Sequence, residues 1–242
     1  MKSQLFKCLT IASTLISSPT INAQEENTMQ QTASFIQMTA KSGQETQFAE
    51  FLAGAAPIVK ETEPGTTLWF ALKDATSTLA IFDIFKDTLA RDAHFSGSVA
   101  GALKDNAERL VEGGWDNGVI PNVLNSSVLS ENRVKDLYSA KTATYITLKA
   151  ASGQSQAVED LLRAAGQLVE RTEPKTLYWV ALKLDENNFG IFDIFADASG
   201  REAHFAGQVA ALLKQKSSEI IDGGWDAGVV ANVNNFDIIA IK

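Results

Sequence analysis

The feature that most constrains the fold is an internal repeat. Shifting the sequence against itself by 110 positions aligns residues 34–132 with residues 144–242 without a gap, and 40 of the 99 aligned positions are identical. All four tryptophans and both histidines of the chain occupy matched positions. Two copies are too few for a solenoid, which stacks at least three shorter units. We therefore predict one domain present twice, with residues 133–143 as the linker.

The first part of each unit has the pattern of a strand, a helix and a hairpin. Residues 35–40 read as a strand, and residues 42–45 resemble a capping box that opens a helix. This helix is predicted to stop at Glu63, because the residue before a proline avoids helical torsions. Residues 66–73 and 79–85 then predict two strands joined by a polar turn.

The second part of each unit has the pattern of a helix followed by a strand. Asp87 is the predicted N-cap of a helix that carries Phe95, Val99 and Leu103 on one stripe. The pair Gly113-Gly114 is predicted to end this helix at a left-handed cap, which glycine tolerates best. Residues 119–123 predict the last strand, and an extension to Leu129 stays open.

The strand at residues 79–85 decides the architecture. Both of its alternating faces are apolar except at Asp83, so both faces are expected to be buried. Helices cover only one face of a four-stranded sheet in a split β-α-β arrangement, and the sheet of the other unit is needed to cover the second face. The predicted fold class is α+β: two ferredoxin-like βαββαβ units that pair within the chain as a dimeric α/β barrel.

Residues 1–23 have the layout of a signal peptide, with lysines before a short apolar stretch and a polar end. The alternative is an uncleaved N-terminal membrane anchor. Without these residues the chain holds 19 basic and 29 acidic side chains and no cysteine. A net charge of −10 disfavours nucleic acid and anionic membrane surfaces as partners. We expect a soluble periplasmic or secreted protein without disulfides.

Residues 190–207, GIFDIFADASGREAHFAG, are similar to the signature stretch of the antibiotic biosynthesis monooxygenase family. The similarity continues through the Gly-Gly-Trp-Asp loop and covers both units, and the second unit is closer to the pattern. The resemblance implies a ferredoxin-like fold that dimerises into an α/β barrel, with a pocket between helices and sheet in each half. Some members oxidise aromatic polyketides with molecular oxygen and no metal or organic cofactor, and others degrade haem.

The two histidines, His94 and His204, are the first candidate catalytic residues. Each precedes a core phenylalanine by one residue, so it lies about 100° further round the helix, at the edge of the apolar stripe. From there an imidazole can reach the cleft between helix and sheet and act as an acid or base near neutral pH. The alternative is a structural histidine that bridges helix and sheet.

The second candidate pair, Asp83 and Asp193, interrupts apolar strands. If the hairpin places Trp69 opposite Asp83, the carboxylate and the indole share one face, and a desolvated carboxylate with a raised pKa can take a phenolic proton. The alternative is an ion pair, because a buried charge needs a partner. The candidate partners are Arg91 or Lys73 in the first unit and Arg201 or Lys183 in the second.

The candidate substrate-binding residues are aromatic, amide and guanidinium side chains at matched positions. Trp115 and its equivalent follow a double glycine, which also fits a helix stop with an apolar anchor. Asn122 and its equivalent are predicted in the last strand, where an amide can orient a substrate oxygen or make a strand-edge hydrogen bond. The full set is Trp69, Trp179, Trp115, Trp225, Asn122, Asn232, Arg91 and Arg201.

Three functional hypotheses remain open at this stage. The first is a cofactor-independent monooxygenase-like protein that acts on a small aromatic or polycyclic substrate, with the substrate supplying the electrons. The second is a non-catalytic exported protein that binds a small apolar ligand, and the third is a scaffold. The sequence has no phosphate loop, dinucleotide fingerprint, serine-nucleophile elbow or cysteine–histidine cluster. One histidine in each unit disfavours a zinc site.

Overall fold

The computed structural model describes residues 30–132 and 135–242, so the predicted signal peptide of residues 1–23 lies outside the described residues. Both halves follow the predicted β-α-β-β-α-β order, with the second helix divided in two. No helix within these ranges is long and apolar enough to cross a membrane. The strands are β1 Thr32–Thr39, β2 Thr66–Lys73, β3 Thr78–Phe85, β4 Val123–Glu131, β5 Thr142–Lys149, β6 Thr176–Lys183, β7 Asn188–Phe195 and β8 Val233–Ile241. The helices are α1 Glu45–Thr62, α2 Thr88–Phe95, α3 Ser98–Leu110, α4 Ser155–Thr172, α5 Ala198–Phe205 and α6 Gln208–Ile220.

The strands close into one antiparallel barrel in the order β1-β3-β2-β8-β5-β7-β6-β4. The last strand of each half is shared between the halves. Residues 123–127 of β4 pair with β1, and residues 127–131 pair with β6 of the other half. In the same way β8 pairs first with β5 and then with β2. The two halves therefore form one barrel, which confirms the predicted fold class and the pairing of the repeats.

The barrel interior is filled by aromatic rings at matched positions of the two halves. Phe35 stacks on Tyr145 with ring centroids 3.9 Å apart, and Phe82 stacks on Phe192 at 3.8 Å. Both faces of β3 are buried, as its apolar pattern predicts. The outer face of each half is covered by its own helices, so the chain has one core inside the barrel and one under the helices of each half.

The start of α1 differs from the predicted capping box. The helix begins at Glu45, its N-cap is Gln44, and no side chain caps it. Gly43 adopts a left-handed conformation with φ 78°, so the chain is still turning at this point and Ser42 is not the cap. The end of α1 is as predicted, with Glu63 as the C-cap before the proline.

The second helix differs from its prediction at two places. The carboxylate of Asp87 accepts the Ala90 backbone N–H at 2.7 Å, as predicted, but the helix stops at Phe95 and restarts at Ser98. The second piece ends at Leu110, because Val111 leaves the helix to bridge Ala40 of the sheet. The two glycines after it have positive φ and open a wide helical turn at residues 114–119.

The last strand begins later than predicted. Val119 is buried at the end of the wide turn, and Ile120–Asn122 form a short 3-10 helix. The strand β4 starts only at Val123 and continues through Leu129 to Glu131. The alternating pattern assigns Val119 to the strand, but its burial comes from the core between the sheet and the helices of the first repeat.

The break between α2 and α3 depends on a glycine. A Cβ on Gly97 would lie 3.4 Å from Oε1 of Glu63, and a Cβ on the equivalent Gly207 would lie 2.7 Å from Oε1 of Glu173. The glutamate at the end of the first helix therefore reaches the start of the third helix of its own half. This close approach brings the glutamate to the histidine at the end of the intervening helix.

Candidate functional site

The first repeat contains an apolar cavity of about 270 Å³ between its sheet and its helices. Its floor is the outer face of the sheet, and its walls are α1, α2, α3 and the wide turn that follows α3. Three of the candidate residues, Trp69, His94 and Trp115, line it together. The other lining residues are Ile36, Phe51, Leu52, Ala55, Ile81, Phe95, Val99, Ala100, Leu103, Val119, Ile120, Val123 and Asn125.

A row of polar and aromatic side chains crosses the sheet on this outer face. In register, Asn125 pairs with Ser34, Ser34 with Asp83, and Asp83 with Trp69. The predicted pairing of Asp83 with Trp69 is therefore observed. The hydroxyl of Ser34 donates to Oδ1 of Asn125 at 2.9 Å. Since paired positions share one face, the row places a carboxylate beside the aromatic floor of the cavity.

His94 is held between two carboxylates. Its Nδ1 lies 2.5 Å from Oε2 of Glu63, and its Nε2 lies 3.8 Å from Oδ2 of Asp83. The first contact is a short charge-assisted hydrogen bond, and the second is too long for a direct hydrogen bond. His94 is only 5% exposed, so the imidazole bridges the end of α1 and the sheet from a buried position.

Burial and these contacts set the charges of the three groups. Burial opposes ionisation of Glu63, but the hydrogen bond and charge of His94 hold the pKa of Glu63 below its ordinary value. Burial also opposes protonation of His94, but Asp83 and the bond to Glu63 raise the pKa of His94 overall. An ionised Glu63 accepts the proton on Nδ1, which leaves Nε2 facing Asp83.

Asp83 is the most perturbed of the three groups. It is fully buried, and burial raises its pKa to about 7 despite the charge of His94 nearby. Neither carboxylate oxygen has a hydrogen-bond partner, and the same holds for the buried Nε1 of Trp69. A buried polar group without a partner is costly, and such groups concentrate at functional sites. This carboxyl can therefore gain or lose a proton near neutral pH.

His94 also reaches the protein surface on its other side. A groove of about 420 Å³ is lined by His94, Glu63 and the start of α3 at Gly97 and Ser98. The same imidazole thus borders both the apolar cavity and a surface groove. His94 is therefore the member of the charged cluster that borders both spaces.

The second repeat has the same charged cluster. His204 lies 2.5 Å from Glu173 through Nδ1 and 3.7 Å from Asp193 through Nε2. Burial raises the pKa of Asp193 to about 7. A surface groove of about 430 Å³ is lined by Glu173 and His204, as in the first repeat. The cluster is therefore a property of the repeated unit, present in two copies.

Nearly all residues that line the cavity of the first repeat have an identical residue at the matched position of the second repeat. Only two positions differ: Phe51 corresponds to Leu161, and Ile120 corresponds to Val230. Trp225, the equivalent of Trp115, carries the ammonium of Lys214 over its ring at 5.6 Å. Trp179, the equivalent of Trp69, is fully buried in the core of the second repeat.

The predicted arginine and lysine partners of the buried aspartates are not observed. Arg91 pairs with the neighbouring Asp92 at 2.9 Å, and Lys183 pairs with Glu159 at 2.6 Å. The only ion-pair contact of Asp83 among the described residues is with His94, and Arg91 does not line the cavity. The predicted arginine and lysine partners are therefore wrong. The charged neighbour of Asp83 is His94, and Lys73 and Arg201 form no salt bridge among the described residues.

The predicted strand position of Asn122 and Asn232 is wrong. Both lie in short 3-10 helices before the last strands, and their amides donate to the backbone oxygens of Gly118 and Gly228 at 2.9 and 3.0 Å. These bonds brace the wide turn. The asparagine that lines the cavity is Asn125, three residues later.

Two members of the site were not found from the sequence: the glutamate that binds the histidine, and Asn125. The sequence does carry a signal for the glutamate, because Thr62-Glu63-Pro64 is repeated at 172–174. The proline explains the helix end, and the glutamate was not predicted as a site residue. Within the described ranges, no group of three or more histidine, cysteine, aspartate or glutamate residues is arranged to hold a metal ion.

Comparisons with known proteins bear on the fold. No family model and no curated protein matches the sequence. Among solved structures, a protein of Fusobacterium nucleatum named "putative monooxygenase" superposes with a TM-score of 0.73 at 14% identity, over 88% of this chain and 94% of its own. An anthrone oxidase-like protein superposes with a TM-score of 0.58 at 10% identity, over 88% and 93%.

A protein of unknown function from Nitrosomonas europaea is 39% identical over 42% of this chain and 92% of its own, with a TM-score of 0.37. The two superpositions over most of the chain show that it has a monooxygenase-like fold, duplicated in one chain. This is the fold that the resemblance to the antibiotic biosynthesis monooxygenases implies.

Proposed function

We propose that this chain, which has the duplicated fold of the antibiotic biosynthesis monooxygenases, oxidises a small aromatic or polycyclic substrate with molecular oxygen in the cavity of its first repeat. The observation that carries this proposal is the junction of an apolar cavity with the Glu63–His94–Asp83 cluster. A purely structural histidine has no need to border an apolar cavity. The name of the anthrone oxidase-like neighbour is in line with a hydroxylated polycyclic substrate.

The cavity suits a flat apolar molecule with few polar groups. Its volume is near the lower end of the range for ligand pockets, and its walls are aliphatic and aromatic. Trp115 is partly exposed and offers a ring face to an aromatic ligand, and the buried Trp69 lies in the floor of the cavity. The exposed amide of Asn125 offers hydrogen bonds to a substrate oxygen. We expect a substrate with one or two hydroxyl or carbonyl groups.

The chemistry requires a base near a phenolic or activated C–H proton. In the proposed reaction the cluster takes this proton, and the electron-rich substrate anion gives its electrons to dioxygen. For a phenol that becomes a quinone, the ring loses four electrons, one oxygen atom enters the ring, and the other leaves as water. His94 takes the proton at Nε2, and the imidazolium is stabilised by Glu63, which is bonded to Nδ1, and by the nearby Asp83, whose pKa is about 7.

The test is oxygen consumption with a panel of hydroxylated mono-, bi- and tricyclic aromatics. We expect uptake with one chemical class, and ¹⁸O from labelled dioxygen in the product. His94→Ala is expected to lower turnover by roughly 10²–10⁴-fold, as for the loss of a general acid–base group, with the fold intact by circular dichroism. Unchanged turnover in a stable His94→Ala variant would remove the histidine from the mechanism.

The second candidate function is a non-catalytic binding protein for a small apolar ligand. It is favoured by the same cavity, because ligand binding requires the apolar walls and not the charged cluster. The two functions differ in one result. If a panel member binds in the cavity and no oxygen is consumed at any pH between 5 and 9, the binding function is correct and the oxidation is not.

A further inference from the structure

Each glutamate–histidine pair is contacted by a lysine that follows the last strand of the other repeat. The ammonium of Lys242, directly after β8, donates to the backbone oxygen of Glu63 at 2.7 Å and to that of Thr66. The ammonium of Lys135, beyond β4, donates to the backbone oxygens of Glu173 and Thr176 at 3.2 and 3.0 Å.

The two lysines reach these equivalent oxygens from positions that are not equivalent in the repeat. The position that matches Lys242 in the first repeat is Asn132. Asn132 makes a different contact, since its Oδ1 accepts the backbone N–H of Trp179 at 2.7 Å. Lys135, three residues further on, supplies the ammonium instead. Duplication alone would place the lysine at the same position twice, whereas here the two lysines reach the equivalent oxygens from different positions.

We propose that Lys242 and Lys135 are positioning residues, each of which fixes the glutamate of the other repeat's glutamate–histidine pair. The two backbone oxygens that each lysine binds lie on either side of the Glu-Pro turn, three residues apart. Binding both clamps the turn and sets the direction in which the glutamate side chain leaves it. Each half of the protein thus completes its site only through the other half.

Lys242 also acts on its site through charge. Its ammonium stabilises the ionised form of Glu63 and disfavours the protonated form of His94. The titratable groups that face His94 are Glu63, Asp83 and Lys242. The groups that act on the charge of His204 are Asp193 and Glu173. We therefore expect the effect of a lysine charge to be clearest at the first site.

The role of each glutamate–histidine pair in catalysis rests on the proposed function. The positioning of the glutamate by the lysine does not, because it can be measured without any substrate. The chain has two histidines, so ¹H–¹³C NMR of the full chain gives two imidazole titrations. Lys242→Met is expected to move the titration midpoint of His94 upward and leave that of His204 in place. Lys242→Arg, which keeps the charge, is expected to restore the wild-type midpoint of His94.

Lys135→Met is the matched variant for the other half. We expect it to make the Glu173 side chain more mobile and so to change the chemical shifts and linewidth of the His204 ring. The signals of the His94 ring are expected to stay unchanged. A Lys242→Met variant in which both histidines titrate as in wild type would overturn the proposal. So would equal shifts of both histidines in either variant, because that result indicates a general loss of structure. Loss of oxygen uptake with unchanged titrations would leave the proposed function in place and contradict the positioning.

Discussion

At the scale of single residues, the site is built from groups that are costly to bury. Asp83 and Asp193 are fully buried, carry no hydrogen bond from the protein and have one histidine each as a charged neighbour. A chain that only needed stability would replace such an aspartate by an apolar residue, as buried ion pairs are often weaker than an apolar packing. The proton transfer of the proposed function gives these costly residues a role that stability does not.

The raised pKa values of these aspartates predict how stability depends on pH. The pKa is about 7 in the folded protein, against an ordinary value of 3.8 for an aspartate in the unfolded chain. Between these values the unfolded chain loses the proton and the folded chain keeps it. Each aspartate therefore costs stability as pH rises from about 4 to 7, on the order of 2–4 kcal/mol per site. The raised pKa of His94 acts in the same direction above 6.5, because its stabilising proton is lost as pH rises through its folded pKa.

We expect the double variant Asp83→Asn/Asp193→Asn to gain stability over wild type as pH rises. The measurement is the free energy of unfolding in urea at pH 5 and pH 8 for both proteins. The difference between variant and wild type should be larger at pH 8. Asp222→Asn is the control, since Asp222 is exposed and its bond to Lys149 lowers its pKa, so it stays ionised throughout this range. A difference that is constant with pH would show that the buried aspartates do not titrate there.

At the scale of elements, the site depends on breaks in regular structure. The helix that the sequence predicts as continuous stops at Phe95 and restarts at Ser98, and the wide turn after Leu110 replaces the start of a strand. Both breaks bring side chains to the cavity: His94 and Phe95 from the first, Trp115 and Val119 from the second. Regular periodicity predicts the helices and strands well, and these functional breaks depend on contacts between distant segments.

The glycine at the first break supplies a test at this scale. A Cβ on Gly207 would lie 2.7 Å from the Glu173 carboxylate and 2.9 Å from the backbone oxygen of His204. Gly207→Ala is therefore expected to destabilise the protein by about 1–3 kcal/mol, as for overpacking, and to disturb the His204–Glu173 bond. Thermal and urea unfolding measure the first effect, and the NMR signal of the His204 ring measures the second.

Gly101 provides the matched control. It lies inside α3, where an added Cβ would have no neighbouring atom within 4 Å, and its equivalent in the second repeat is already Ala211. Gly101→Ala is expected to stabilise the protein by about 0.5–1 kcal/mol through the higher helix propensity of alanine. If Gly207→Ala is as stable as Gly101→Ala, the close approach of the glutamate is not a constraint on this helix start.

Local sequence patterns predict the barrel but not the contacts that assemble the site. The barrel follows from the strand at residues 79–85, because two apolar faces require two covering layers. The length of the hairpin turn fixes the pairing of Asp83 with Trp69 only to within one residue, and the structure shows that the two are paired. The glutamate partner of His94 does not follow from either, because the two residues are 31 positions apart and meet only through the break at Gly97. The strand exchange that brings Lys242 to Glu63 is equally invisible to local patterns.

At the scale of the whole molecule, duplication in one chain gives a barrel whose halves can differ. A homodimer of one unit has two identical sites, whereas this chain can vary one site and keep the other as structure. The halves do differ around the cavity. The first repeat has Phe51 and Ile120 where the second has Leu161 and Val230, and only in the second does a lysine, Lys214, lie over the matched tryptophan, Trp225, among the described residues. Export of the mature protein to the periplasm or medium stays a prediction that depends on residues 1–23.

The most direct test of this account is calorimetric titration of the full chain with the hydroxylated aromatic that supports the highest oxygen uptake or, if none does, with a hydroxylated tricyclic aromatic. We expect binding in the cavity of the first repeat, with a negative heat-capacity change from burial of apolar surface. Ala100→Phe, which fills the cavity of the first repeat, is expected to abolish binding, and the matched Ala210→Phe in the second repeat is expected to retain it. Equal affinity of wild type and a folded Ala100→Phe variant would contradict the account, because the ligand would then bind outside the cavity that His94 borders.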